Sequence, residues 1–154
     1  LQGSFEAGFK AHYYYADHLH RLGAKLLREC NFREAKMRMG QARDQLDKSG
    51  KLCHDGYFAP GVAHGFRLRT WHADDYLTGV LAYQDGYDLW QQRKPEEALA
   101  LFQHADEVLG KLRTPQNRRP AADSEEAKML AEVRRMINFL EGAGIRPAAE
   151  PETE

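Results

Sequence analysis

Histidine and cysteine are the side chains of this sequence best suited to metal chemistry, and the chain has seven histidines and two cysteines. His18 and His20 are separated by one residue, so on a helix their rings point about 200° apart and cannot bind the same ion. A second group would converge only if its loop folded tightly: Cys53, His54, His64 and His72. Their spacing matches no zinc-binding signature, so we predict no metal site and no cofactor.

Other patterns with catalytic or nucleic-acid-binding chemistry are weak. No glycine-rich phosphate loop, Ser/His/Asp order or pair of catalytic carboxylates stands out. Basic residues occur on the second predicted helix and at residues 113–119, but those of the helix are interleaved with acidic ones, and the formal net charge is −1. A mixed charged face is usually just solvated, so we expect no nucleic-acid partner. Cys30 and Cys53 are expected to be two free thiols.

Apolar side chains at steps of three and four indicate helices along most of the chain. Five helices are predicted, at residues 5–30, 32–48, 67–92, 95–112 and 123–142. Residues 51–66 contain three glycines and a proline and are expected to form an ordered loop. Residues 113–122 are predicted to be a connector and residues 143–154 a disordered tail. We therefore expect a single all-α domain at residues 5–142, with no segment apolar enough to span a bilayer.

Particular residue types predict where these helices start and stop. Asn31 followed by Glu34, and Asp123 followed by Glu126, have the spacing of a capping box. Gly50 is expected to end the second helix, because glycine readily adopts the left-handed conformation found after the last turn.

One sequence pattern recurs after 63 residues. The shift superposes small or apolar residues on residues of the same kind: Gly23 on Gly86, Leu26 on Leu89, Ala35 on Ala98, Met39 on Phe102, Ala42 on Ala105 and Leu46 on Leu109. Each copy predicts a helical hairpin whose small residues let its two helices approach closely. Neither hairpin can bury its apolar face alone, so each is expected to stack on a neighbouring element.

This pattern resembles the tetratricopeptide repeat, a family of helical hairpins of about 34 residues. The residues that carry the resemblance are Gly86, Leu89, Ala98, Phe102 and Ala105 in the second copy, and Leu22, Gly23, Leu26, Ala35 and Ala42 in the first. The longer period and the missing family tryptophan and proline depart from the family pattern. We therefore expect a compact bundle of two such hairpins closed by the fifth helix, not a regular superhelix.

The resemblance implies that the first helix of each hairpin lines a face that binds peptides or other proteins. The residues on this face would be Asp17, His20, Arg21 and Arg28 in the first hairpin, and Tyr83, Tyr87, Trp90 and Gln91 in the second. The three aromatic residues step by four and three, which places them on one side of a helix. A groove with an aromatic wall and a His/Arg wall would suit apolar side chains and carboxylates. The alternative is that the aromatic residues pack between the hairpins as core.

The sequence thus predicts a non-enzymatic scaffold that binds a protein or peptide partner, without a membrane and in the cytoplasm. Arg67 and His72 also resemble the Arg-x4-His signature of HEPN-domain ribonucleases, which is the enzymatic alternative. A structural domain that only forms homo-oligomers is a third interpretation. The chain begins at Leu1, and residues 1–4 are interpreted as a tag or processing remnant.

Overall fold

The computed structural model describes residues 2–52 and 60–149, with side chains for residues 8, 10–49 and 65–149. Within these ranges the secondary structure consists of α-helices without a β-strand: α1 (Gln2–Arg28), α2 (Phe32–Leu52), α3 (Pro60–Gln91), α4 (Pro95–Gly110) and α5 (Glu125–Gly142). The predicted all-α fold class is confirmed. The chain divides into two compact units, an N-terminal unit (Leu1–Leu77) and a C-terminal unit (Thr78–Glu154). Residues 60–77 of α3 belong to the first unit and residues 78–91 to the second.

The N-terminal unit is built on the contact between α1 and α2, each of which turns an apolar stripe towards the other. One buried cluster contains Leu26, Ala35, Met39 and Leu77, and another contains Ala16, Leu46 and Phe66. Gly23 allows the two helices to approach, since a Cβ atom at this position would lie 3.1 Å from the Met39 side chain. Burial of these apolar side chains is the main source of stability for the unit.

The C-terminal unit uses the same construction with residues 78–91 of α3 and with α4. A Cβ atom at Gly86 would lie 2.9 Å from the Phe102 ring and 3.3 Å from the carbonyl oxygen of Ala98. A Cβ atom at Gly79 would lie 2.5 Å from Leu109. α5 adds a buried face of Val133, Met136 and Leu140. Glycine is therefore required where the backbone of α3 approaches α4, because even one methyl group would collide with buried atoms.

The two hairpin turns repeat the same hydrogen bonds, 63 residues apart. After α1, Asn31 N–H donates to Leu26 O at 2.8 Å, and after α3, Lys94 N–H donates to Leu89 O at 2.9 Å. The preceding residues, Cys30 and Arg93, have φ angles of 59° and 63°. These are Schellman turns in which a residue other than glycine takes the left-handed conformation. The internal repeat is therefore present in the contacts as well as in the sequence.

Three of the predicted helix boundaries are wrong. α2 continues past Gly50 to Leu52, and within it the hydroxyl of the buried Ser49 donates to Leu46 O at 3.0 Å. α3 begins at Pro60 instead of residue 67, because proline is well tolerated in a first helical turn. The cap of α5 is Ser124, not Asp123, and its hydroxyl accepts a hydrogen bond from Ala127 N–H at 3.2 Å. The rest of the predicted loop, residues 53–59, lies outside the described residues.

Asn31 and Glu34 do interact, although not as a reciprocal capping box. The side-chain amide of Asn31 donates to the Glu34 carboxylate at 2.9 Å. The backbone carbonyl oxygen of Asn31 accepts the first helical hydrogen bond of α2, from Ala35 N–H.

The segment after α5 lies against α4. Gly144 has a φ of 80°, and Ala148 N–H donates to Glu96 O at 2.9 Å. Residues 143–149 of the predicted disordered tail form this segment, which has a turn at residues 143–144. Residues 150–154 lie outside the described residues. Among the helices that the structure describes, none is long and apolar enough to cross a membrane.

The glycine contacts give a matched pair of stability predictions. Gly86→Ala should lower the free energy of unfolding by about 1–2 kcal/mol, because the fully buried Phe102 ring has no space into which it can move. Gly40 lies in the middle of α2, and a methyl group added there would have no neighbouring atom within 4 Å. Gly40→Ala should therefore raise the free energy of unfolding by about 0.5–1 kcal/mol. Urea denaturation of the two variants measures both effects. Equal shifts would show that Gly86 does not mark a close helix contact.

Candidate functional site

The C-terminal unit contains a continuous group of aromatic side chains that runs from its core to its surface. Tyr83 packs on the buried Phe102 with ring centroids 5.7 Å apart, and Tyr87 lies 6.2 Å from Tyr83. Trp90 follows at 5.5 Å from Tyr87, and Phe139 of α5 meets Trp90 edge-on at 6.1 Å. Phe139 is 57% exposed, and the other three are half-buried. We call Tyr83, Tyr87, Trp90 and Phe139 the aromatic surface.

The three predicted aromatic residues of the second hairpin are partly buried in the C-terminal unit. The side chains of Tyr83, Tyr87 and Trp90 are neither fully buried as core nor fully exposed, since each has one part against the protein and one part at solvent. The sequence did not predict Phe139 as a site residue, because the apolar periodicity of α5 identifies only the buried side of that helix. A large aromatic residue outside that stripe was the signal that could have identified it.

Tyr83 is fixed in place by a polar contact with α5. Its hydroxyl donates to Glu132 at 3.0 Å, and Arg135 Nε donates to the other oxygen of the same carboxylate at 2.9 Å. Burial, reinforced by the hydrogen bond to Glu132, raises the pKa of Tyr83 to about 12. The hydrogen bond from Arg135 holds the pKa of Glu132 below its ordinary value. At neutral pH the hydroxyl of Tyr83 is therefore neutral and fixed in position, and its ring lies beside that of Tyr87.

A shallow cavity of about 440 Å³ opens beside these rings. It is lined by Tyr83, Gln84, Tyr87 and Asp88, so a carboxylate and an amide border two aromatic faces. Gln91, the remaining predicted site residue of this hairpin, is exposed at the end of α3. This arrangement can hold a side chain by stacking and by charge, but it contains no pair of groups suited to acid–base catalysis.

A second cavity of the C-terminal unit, of about 600 Å³, is mainly apolar. Its lining consists of Leu89, the face of α4 from Glu97 to His104, and Ala148 with Ala149 of the segment after α5. The segment after α5 therefore forms one of its walls.

The predicted site residues of the first hairpin lie in the N-terminal unit. Asp17 and Arg21 form an ion pair one helical turn apart at 3.0 Å, and Arg28 is exposed at the last turn of α1. His20 is half-buried, with Nδ1 hydrogen-bonded to Thr70 Oγ1 at 2.9 Å and its ring 5.3 Å from that of Phe66. His20 thus connects α1 to α3 within the unit. A groove shared by both hairpins stays a prediction.

The environment of His20 predicts a loss of stability in mild acid. Burial, and secondly the nearby Arg69, hold the pKa of His20 below its ordinary value of 6.5. Below pH 6.5 the unfolded chain therefore binds a proton that the folded chain does not, so the free energy of unfolding falls as the pH falls towards the folded-state pKa. His20→Asn can keep the hydrogen bond to Thr70 without titrating.

Between pH 7 and pH 5, this variant should lose less stability than the unmodified chain in urea denaturation. His18→Asn, at an exposed position of the same helix, is the matched control. Parallel curves for His20→Asn and the unmodified chain would contradict the prediction.

A buried ionic contact in the N-terminal unit was not predicted. The Asp74 side chain is only 5% exposed and accepts from Lys36 Nζ at 2.6 Å and from Arg43 at 3.0 Å. Two cations of α2 thereby compensate one buried carboxylate of α3, which is the condition under which such burial is tolerated. The contact fixes the rotation of α3 relative to α2 within the unit.

The indole of Trp71 lies beside this ionic contact, between two guanidinium groups. Arg43 Cζ is 4.4 Å and Arg67 Cζ is 4.3 Å from the ring centroid, both within cation–π range. Arg67 also pairs with Asp47 at 3.0 Å. The arginine of the ribonuclease alternative is therefore held by an acidic and an aromatic neighbour, and His72 is half-buried on the same helix.

Among the side chains that the structure describes, no group of three or more His, Cys, Asp or Glu could hold a metal ion. Cys53, His54 and the side chain of His64 lie outside them. Cys30 is a free, exposed thiol.

Comparisons with protein-family models, with curated proteins and with solved structures find no match for this chain.

Proposed function

We propose that this chain is a non-enzymatic module, similar to tetratricopeptide-repeat proteins, that binds a protein or peptide partner on its aromatic surface. The observation that carries the proposal is the exposure of Phe139, which is 57% and continues a group of rings anchored in the core at Phe102. A rigid aromatic group of this kind loses little conformational entropy on binding. The cytoplasmic location and the absence of enzymatic activity stay part of the proposal.

Polar groups around the rings support the same function. Tyr87, Trp90 and Gln91 have no hydrogen-bond partner for their side chains among the described residues. Tyr87 and Trp90 are half-buried and Gln91 is exposed, so these side chains can offer polar groups to a partner. Tyrosine and tryptophan are enriched at binding hot spots because each combines a large apolar face with a polar group.

The other two functions have less support. A ribonuclease would need the Arg67 guanidinium to meet the substrate, whereas Asp47 and Trp71 hold it. A homo-oligomer would use the aromatic surface as the interface between copies, so it remains an outcome of the experiment below.

The experiment is a selection of peptides from a random displayed library on the intact chain, followed by affinity measurement of the enriched peptides. Trp90→Ala should weaken their binding by about 2 kcal/mol, because a central aromatic anchor would be removed from the interface. Phe139→Ala should act in the same direction. The matched control is Tyr14→Ala, an exposed aromatic residue of α1 that is 64% exposed and lies in the N-terminal unit.

Peptides that bind Trp90→Ala and Phe139→Ala as well as the unmodified chain would contradict the proposed surface. Failure to enrich any peptide, together with a dimer that Trp90→Ala abolishes in sedimentation, would favour the oligomerisation domain instead.

A further inference from the structure

We propose that the aromatic surface recognises an arginine side chain of its protein partner, with the guanidinium over Tyr83 and Tyr87 and beside the carboxylate of Asp88. This inference rests on the proposed function and adds the chemistry of the ligand.

Charge is the first argument. Asp88 is the carboxylate that lines the same cavity as Tyr83 and Tyr87. Asp88 is exposed, and its carboxylate pairs with no described side chain. Arg135 of α5 donates to both oxygens of Glu132. The carboxylate of Asp88 beside the aromatic rings is therefore open to a partner, and a cationic group is its electrostatic complement.

The shape of the cavity is the second argument. The rings of Tyr83 and Tyr87 lie 6.2 Å apart with an angle of 36° between their planes, and Asp88 lies one residue beyond Tyr87 at the edge of the same cavity. A volume of about 440 Å³ is sufficient for one long side chain. Ring faces carry negative electrostatic potential, so they attract a cation that also reaches the carboxylate.

The N-terminal unit of the same chain shows this combination of groups with an arginine in place. Arg43 lies 4.4 Å from the Trp71 ring centroid while it donates to the Asp74 carboxylate at 3.0 Å. Arg67 lies over the same indole and pairs with Asp47. In both cases an arginine is held between an aromatic face and an aspartate. Around Tyr87 the aromatic face and the aspartate are both present, and an arginine of the partner would complete the same combination.

Arginine fits this position better than lysine. Its guanidinium is planar, stacks on aromatic rings and is more weakly hydrated than an ammonium group, so less hydration is lost when it enters a shallow cavity. A planar cation can also cover both tyrosine rings while one edge donates to Asp88.

The experiment uses the intact chain and three synthetic forms of a peptide enriched in the selection described above. One form carries arginine, one carries the neutral isostere citrulline at the same position, and one carries lysine. Citrulline should weaken binding by about tenfold, and lysine by about two- to fivefold. Asp88→Asn should weaken the arginine peptide by about two- to fivefold and leave the citrulline peptide unchanged. The matched control is Asp106→Asn, which removes a carboxylate on α4 that pairs with Arg134.

The outcomes separate this inference from the proposed function. Enriched peptides that lack arginine, or an Asp88→Asn variant that binds arginine and citrulline peptides with unchanged affinities, would overturn the arginine site and leave the aromatic surface intact. Enrichment of no peptide, or binding that Trp90→Ala does not weaken, would overturn both. Arginine peptides whose preference over citrulline disappears in Asp88→Asn would support both.

Discussion

Phe102→Ala is expected to lower the free energy of unfolding by about 3–5 kcal/mol. Phe102 is fully buried and lies against Gly86 and the ring of Tyr83. Its removal would leave a cavity beside Gly86, where α4 lies close to the backbone of α3, and the rigid helix backbones could not collapse to fill it. Chemical denaturation at equilibrium measures the loss.

Phe139→Ala is the matched control for this prediction, because the same atoms are removed from a side chain that is 57% exposed. It should change stability by less than about 1 kcal/mol. If the two variants lost equal amounts of stability, Phe139 would be part of the core, and the aromatic surface could not be a free binding site. Binding of the selected peptides should show the opposite order, with Phe139→Ala affecting affinity directly.

Asp74→Asn is expected to lower the free energy of unfolding by about 2–3 kcal/mol. The substitution keeps the shape of a side chain that is 5% exposed and removes the charge that compensates Lys36 and Arg43. The loss is smaller than for a completely buried pair, because these two cations are about one-third exposed and water can partly solvate them.

The adjacent aspartate provides the control. Burial raises the pKa of Asp75, so its ionised form is disfavoured in the folded chain, and this cost is present above the folded-state pKa and absent below the ordinary one. Asp75→Asn should therefore be neutral or slightly stabilising at pH 7, and its advantage should disappear as the pH falls. Equal destabilisation by the two substitutions at pH 7 would show that the buried ionic contact does not stabilise α2 against α3.

The contacts between helices that depend on residue size could be predicted from the sequence. The recurrence of Gly23 at Gly86 and of Met39 at Phe102 identified which positions of each hairpin meet, since a glycine facing a large side chain is what close helix packing needs. The predicted boundaries failed at the second and third helices. There, α2 continues through Gly50 and α3 begins at Pro60, although glycine locally disfavours helix.

The contacts that depend on charge could not be predicted. Asp74 is 38 residues from Lys36 and 31 from Arg43, and only the folded arrangement of α2 and α3 shows that they meet. The same is true of Tyr83 and Glu132, which are 49 residues apart. For His20 the sequence predicted a role on a binding face, and its partner Thr70 is 50 residues away. Long-range polar pairs carry no local periodicity, so a single sequence does not identify them.

The hairpin turns limit how the length of this chain can vary over evolution. Between the left-handed Arg93 and the first residue of α4 there is a single residue, Lys94, whose backbone closes the end of α3. One inserted residue there would disrupt the hydrogen bond from Lys94 N–H to Leu89 O and change the direction in which the chain enters α4. The connector between α4 and α5 has its own turn, in which Asn117 has a φ of 61° and Thr114 N–H donates to Arg118 O at 2.8 Å. This hydrogen bond lies within residues 114–118 and closes no helix end, and most side chains of residues 113–120 are exposed. Insertions and deletions in homologous chains should therefore accumulate in that connector, while the two hairpin turns keep a constant length.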